Sequence, residues 1–280
     1  MQERVAGHEK RIDCFRFKLF SALFLLPLLF VLTGSLMGSR EFASVYGSNQ
    51  LRFPPLLPRL ASLSQYGQLL LNSPGYLSAY WKSLFLAACI CLLQLIVGIP
   101  CAYGFAMLSF RSRKLLLFLY VIMMMMPFQV TMLPMYQLIQ RLGWFDSYWA
   151  LIVPEIFAPF TVFMLTQFMN RLPHELIESI QLETSSALAV YQYLVIPACK
   201  PGIVATIILS FVETWNMVEK PLLYISEIQH YPLSMLLYEA GKRVTPTTLA
   251  GCVLYTVPVF LLWICFKDEI CQGIARLQIK

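Results

Sequence analysis

The chain has 280 residues, of which 58% are hydrophobic and only 13% charged, with a net charge of +6 and a mean hydropathy of +0.66. Soluble domains carry roughly a quarter charged residues, so this composition excludes an ordinary soluble enzyme and indicates a single polytopic membrane bundle. No lysine/arginine run has the density of a nucleic-acid arm, and the basic residues gather at the ends of apolar runs.

A helix needs about 20 apolar residues to cross the hydrocarbon core. Charge-free runs lie at 19–39, 83–110, 115–140 and 244–266. Two further apolar runs, 147–170 and 201–226, are interrupted by Glu155 and by Glu213, Glu219 and Lys220. Six spans is the economical count, giving an all-α membrane protein. The organisation expected is a tail (1–18), a first span (19–39), an outside loop (40–78), a membrane core (79–266) holding a polar loop at 171–200, and a C-terminal tail (267–280). With the N-terminus inside, thirteen lysines and arginines fall on inner segments and six on outer ones. The positive-inside rule then places both termini in the cytoplasm and the chain in the cell membrane.

The basic start and apolar run at 19–39 also fit a signal peptide. The run is long, however, and Gly34-Ser35-Leu36-Met37-Gly38 makes a poor cleavage site, so a retained span is expected. Pro54-Pro55, Pro58, Pro74 and Gly75 break the loop at 40–78 into an irregular cap with short helical pieces. The eight cysteines sit in or beside apolar runs, without disulfide or zinc spacing. Met123–Met126 reads as packing filler, or alternatively as a pliable pore lining.

Segment 171–200 is too polar to span. Pro173 suits the first turn of a short helix, and Glu175 there favours the positive helix end. Leu176, Ile177 and Ile180 form an apolar patch. Thr184-Ser185-Ser186 offers N-cap oxygens for a second short helix over 187–195, stopped by Pro197. Glu175, Glu178 and Glu183 disfavour docking on anionic lipid, so the apolar face is expected to meet a protein.

Glu178-Ser179-Ile180, three residues, Thr184, nine residues, then Leu194-Val195-Ile196-Pro197 keeps the spacing of the cytoplasmic signature (EAA) loop of ATP-binding-cassette importer permeases. Pro173-x-Glu175-Leu176-x-Glu178 is similar to the carbohydrate branch, the maltose-type second permease. So are Pro127-Phe128-Gln129-Val130, Tyr148-Trp149-Ala150-Leu151-Ile152-Val153-Pro154, Lys200-Pro201, Trp215-Asn216 with Pro221-Leu222, and the Gly273-Ile274 tail. The likeness runs from about residue 80 to the C-terminus.

The resemblance implies a six-span type I importer permease fold in which Glu175, Leu176, Glu178, Ser179, Ile180, Glu183 and Thr184 form the coupling helix that docks on an ATPase. It also implies a second homologous permease, an ATPase dimer and an extracellular solute-binding protein as partners. Ser179 and Ile180 stand where the family has alanines, and β-branched Thr184 where it has glycine, so the docking groove is expected to be altered to match.

Glu213, Asn216 and Lys220, spaced i, i+3, i+7, share one helix face in the fifth run. They line a translocation path or form an inter-subunit polar set, and both readings stand. Glu155 reads as lying near the outer or inter-subunit surface. No metal-ligand set and no phosphate-cradling GxxxxGK loop occurs, so no cofactor is expected and ATP belongs to partner subunits. The function expected is the permease subunit of a carbohydrate importer. The rivals are a same-fold permease for a peptide, lipid or modified glycan, and a polytopic membrane enzyme.

Overall fold

The structure, a computed structural model, describes residues 20–21, 23–46, 58–172, 186, 189 and 191–278. Among these residues there are helices and turns but no strands. The chain divides into two compact units, Met1–Leu77 with Leu237–Val257, and Ser78–Leu236 with Pro258–Lys280.

Within the first unit, α1 (Leu23–Ser35) is apolar and α2 (Ser39–Tyr46) is amphipathic. A small core forms from Met37, Phe42 and Leu249, with Phe30, Val31 and Tyr46 against it. Its buried polar groups are paired, as burial requires. The Gln65 amide, on α3 (Ser64–Leu71), donates to Ser39 Oγ at 3.1 Å and accepts from Thr247 Oγ1 at 2.6 Å. Ser35 Oγ lies 2.8 Å from Tyr66 Oη. The expectation of short helical pieces after the first span is met by α2 and α3; residues 47–57 lie outside the described set.

The second unit takes most of α4 (Pro74–Met107), then α5 (Arg113–Met125), α6 (Phe128–Leu142), α7 (Trp149–Ile156) and α8 (Pro159–Met169). After a π-helical turn at Tyr191–Val195 and a helical turn at Ile196–Ala198 come α9 (Lys200–Trp215), α10 (Glu219–Tyr224) and a 3-10 turn at Ile228–His230. Helices α11 (Leu233–Gly241) and α12 (Pro246–Gln278) complete the described chain. One core joins Leu86, Ile90, Ile139, Leu151, Ile152 and Tyr224; another joins Ala102, Leu165, Met169, Val195, Cys199 and Ile203. The close approach of α8 and α9 depends on Gly202, where a Cβ would come within 2.3 Å of the Phe168 ring.

Among the described residues three helices are long and apolar enough to cross a membrane: Pro74–Met107, Trp149–Met169 taken as one, and Pro246–Glu269. Two bent pairs raise the number to five, and α1 is shorter. Large side chains point outward along these elements, with Phe24 77%, Phe85 70% and Ile96 66% exposed. Such surface would be a liability in water and is ordinary against lipid.

Prolines set the bends. The run at 115–140, expected as one span, is two helices meeting at 96°. Met126 is extended (ψ 124°) before Pro127, whose ring disfavours a helical predecessor and which has no N–H to continue the ladder. The run at 201–226 is likewise interrupted, because α9 ends at Trp215 and α10 begins at Glu219. Pro197 does not stop the helical path as expected; it occupies the first turn of Ile196–Ala198, and the 66° bend follows there, before α9. Ser186 does take the capping geometry expected of it, its Oγ accepting from the Ala189 N–H at 3.4 Å.

Candidate functional site

The polar centre of the second unit begins with a missing donor. Pro159 has no N–H to offer the Glu155 carbonyl four residues earlier, so the helical path breaks at Phe157–Ala158. The Glu155 carbonyl instead accepts from the Ala158 N–H at 3.3 Å and from the amide of buried Gln94 of α4 at 2.8 Å. Thr161 Oγ1 donates to Gln94 Oε1 at 3.4 Å and lies 3.3 Å from Ser210 Oγ. Four helices (α4, α7, α8 and α9) are thereby tied through one buried polar layer.

The Glu155 side chain projects from the last turn of α7, where the helix dipole disfavours a negative charge. Lys220 of α10 answers it with a direct ion pair, donating to Glu155 Oε1. Glu155 is 13% exposed and Lys220 29%, so the pair is held largely away from water. The Lys220 ammonium also lies 5.9 Å from the centre of the Phe128 ring, a cation–π distance. The bend at Pro127 is what brings Phe128, the first residue of α6, to this point.

A cavity of about 530 Å³ opens here, lined by Glu155, Lys220, Phe128, Glu213 and three of the four consecutive methionines, Met123, Met124 and Met126. A neighbouring cavity of about 450 Å³ shares Phe128, Glu155, Glu213 and Lys220 and adds Asn216 and Glu219. Glu213 is exposed and, among the described residues, makes no hydrogen bond or ion pair of its own.

Glu213, Asn216 and Lys220 therefore converge, though not as one helix face. Glu213 sits in the last turn of α9, Asn216 closes that helix, and Lys220 comes from α10. The Asn216 amide donates to Val212 O at 2.8 Å, giving it a capping role beside its place in the cavity wall. Glu155 and Phe128 are the residues that sequence reasoning missed. For Glu155 the signal was charge complementarity: the 147–170 run is broken by a single carboxylate, and the 201–226 run holds a single ammonium. The expected coupling residues Glu175, Leu176, Glu178, Ser179, Ile180, Glu183 and Thr184 lie outside the described residues.

Beside this centre, Gly143 ends α6 in the left-handed conformation (φ 66°), with Trp144 N–H reaching back to Ile139 O at 3.1 Å. The turn delivers Asp146, whose N–H donates to Tyr224 O at 2.9 Å. Its carboxylate accepts from the Glu227 N–H at 3.0 Å and from the Ser226 N–H. Those two backbone donors hold the Asp146 carboxyl below its ordinary pKa. Among the described residues no group of three or more His, Cys, Asp or Glu side chains is placed to hold a metal ion.

A family model described as binding-protein-dependent transport system inner membrane component matches residues 94–267. The arabinooligosaccharides transport system permease protein AraQ of Bacillus subtilis (strain 168) is 29% identical, over 94% of this chain and 93% of its own. Protein LplC of the same organism is 31% identical, over 92% and 90%. The crystal structure of a bacterial ABC transporter involved in the import of the acidic polysaccharide alginate has a chain that superposes with a TM-score of 0.79 at 17% identity, covering 96% of this chain and 98% of that one. This last likeness concerns the fold alone. With the family model spanning most of its length and relatives aligned nearly end to end, this chain belongs to the binding-protein-dependent transport system inner membrane components, the permease subunits of ATP-binding-cassette transporters.

Proposed function

We propose that this chain is one of two permease subunits of an ATP-driven, binding-protein-dependent carbohydrate importer, and that the cavity at Glu213, Asn216 and Lys220 lines part of the solute path. The observation that carries the reading is this charged, aromatic-sided cavity, set in a chain that aligns over nearly its whole length with permeases named for sugar transport. Among those names are arabinooligosaccharides and polygalacturonan/rhamnogalacturonan. Intramembrane charges are costly and face protein or water, which supports a path rather than a lipid-facing position.

In this proposal the chain crosses the membrane six times. The five apolar spans or bent pairs are joined by the run at 19–39, and both termini are cytoplasmic on the lysine/arginine count. Segment 173–197 is the coupling element. Glu175, Leu176, Glu178, Ser179, Ile180, Glu183 and Thr184 dock on an ATPase dimer that binds and hydrolyses ATP, and this subunit carries no catalysis of its own. Closure of the ATPase dimer pushes on the coupling element and rocks the helices between outward- and inward-open states. A second permease completes the pore, and an extracellular binding protein delivers the solute.

Affinity purification of the tagged chain from its native membrane, in mild detergent, tests the assembly. A second permease and an ATPase are expected to remain bound, with ATPase activity rising when the loaded binding protein is added. Recovery of the chain alone would contradict the reading.

A further inference from the structure

The two cavities that share Glu155, Lys220, Glu213 and Phe128 are unbalanced in charge. Among the described residues Lys220 is the single ammonium on either lining, and the ion pair sets it against Glu155. Glu213 faces both cavities without a cation of its own, and Glu219 adds a second carboxylate to the smaller one. With these groups ionised, the described lining of the larger cavity carries one net negative charge and that of the smaller one two.

A carboxylate accepts hydrogen bonds and donates none, so Glu213 suits a solute that presents hydroxyl or ammonium donors. The Phe128 face and the pliable Met123, Met124 and Met126 side chains suit the apolar face of a pyranose or furanose ring. An anionic solute would meet carboxylates of like charge, which repel it at close range. We infer that this site selects on charge, accepting neutral or cationic oligosaccharides and excluding acidic ones such as uronate-bearing glycans. The inference rests on the importer reading above and narrows its substrate class.

The test uses the whole purified complex. Met126→Cys, exposed on the cavity wall, reports the local potential through its rates of modification by a cationic (trimethylammonium-ethyl) and an anionic (sulfonatoethyl) methanethiosulfonate. The unsubstituted complex serves as the blank for native cysteines. The cation-to-anion rate ratio is expected to exceed that of a free thiol in solution. It should fall severalfold with Glu213→Gln, because a unit charge on the same cavity lining acts with opposite sign on the two reagents.

Saturation-transfer NMR then compares maltotriose with trigalacturonate. The neutral sugar is expected to contact the wild-type complex and the acidic one to do so only in Glu213→Gln. A ratio equal to that of the free thiol, or unmoved by Glu213→Gln, overturns the inference, as does equal contact by both sugars with the wild type. If ATP-driven oligosaccharide uptake persists beside such a result, only the charge selection falls. If uptake is absent and neither sugar makes contact, the importer reading falls with it.

Discussion

At the scale of single residues, the Glu155–Lys220 pair is the feature with the largest energetic consequence. Removing one partner of a buried pair leaves an uncompensated charge, whereas removing both leaves none. The Glu155–Lys220 pair is only partly buried, so Lys220→Met is expected to destabilise the protein by roughly 1–3 kcal/mol, and Glu155→Gln/Lys220→Met by less than the sum of the single changes. A double-mutant cycle on thermal unfolding in detergent measures the difference.

Asp146 gives a pH prediction of definite sign. Its pKa is lowered in the folded chain by the Glu227 and Ser226 N–H groups. Its stabilisation is thus present above the ordinary carboxylate pKa of about 3.9 and is lost as pH falls through the lower, folded value. Asp146→Asn should flatten that part of the melting-temperature profile below about pH 4 while leaving the neutral-pH slope unchanged. Gly202→Ala would drive a Cβ into the Phe168 ring and is expected to cost roughly 1–3 kcal/mol, read as a lower melting temperature.

Residue-scale chemistry was partly legible in the sequence. Glu213, Asn216 and Lys220 stood out as polar atoms in apolar runs. Glu155 lies 65 positions from its partner, and nothing local specifies a pairing that tertiary packing creates.

At the scale of elements, prolines and glycines explain what hydropathy alone blurs. A window of apolar residues cannot tell a straight span from two helices meeting at 96°. The sequence did contain the reason, since Pro127 forbids a helical donor and restrains Met126. The break at Phe157–Ala158 follows the same logic through Pro159, with the Ala158 N–H and the Gln94 amide donating to the carbonyl that Pro159 cannot serve. The end of α9 at Trp215 was not legible, because Asn216-Met217-Val218 holds neither Gly nor Pro.

The proposed coupling element makes its own prediction. Glu178→Ala is expected to lower stimulated ATPase activity of the complex at least about tenfold, the loss of one charge-assisted docking contact, while membrane insertion stays intact. Unchanged stimulation would remove the docking role assigned to that carboxylate.

At the scale of the whole molecule, composition already determined the solvent. A charged fraction of 13%, with outward-facing Phe24, Phe85 and Ile96, is intelligible only against lipid. The spacing of the signature loop pointed to the family, and the match over residues 94–267 with end-to-end relatives bears that out. The solute was not legible, because specificity lives in a site assembled from distant segments rather than in the fold. The central claim is import. Its most direct test is to reconstitute the native complex in proteoliposomes, with the binding protein outside, ATP inside and labelled oligosaccharides supplied outside. Accumulation of a neutral oligosaccharide that requires both ATP and the binding protein is expected. Uptake indifferent to ATP, or none across neutral oligosaccharides in an intact complex, would contradict it.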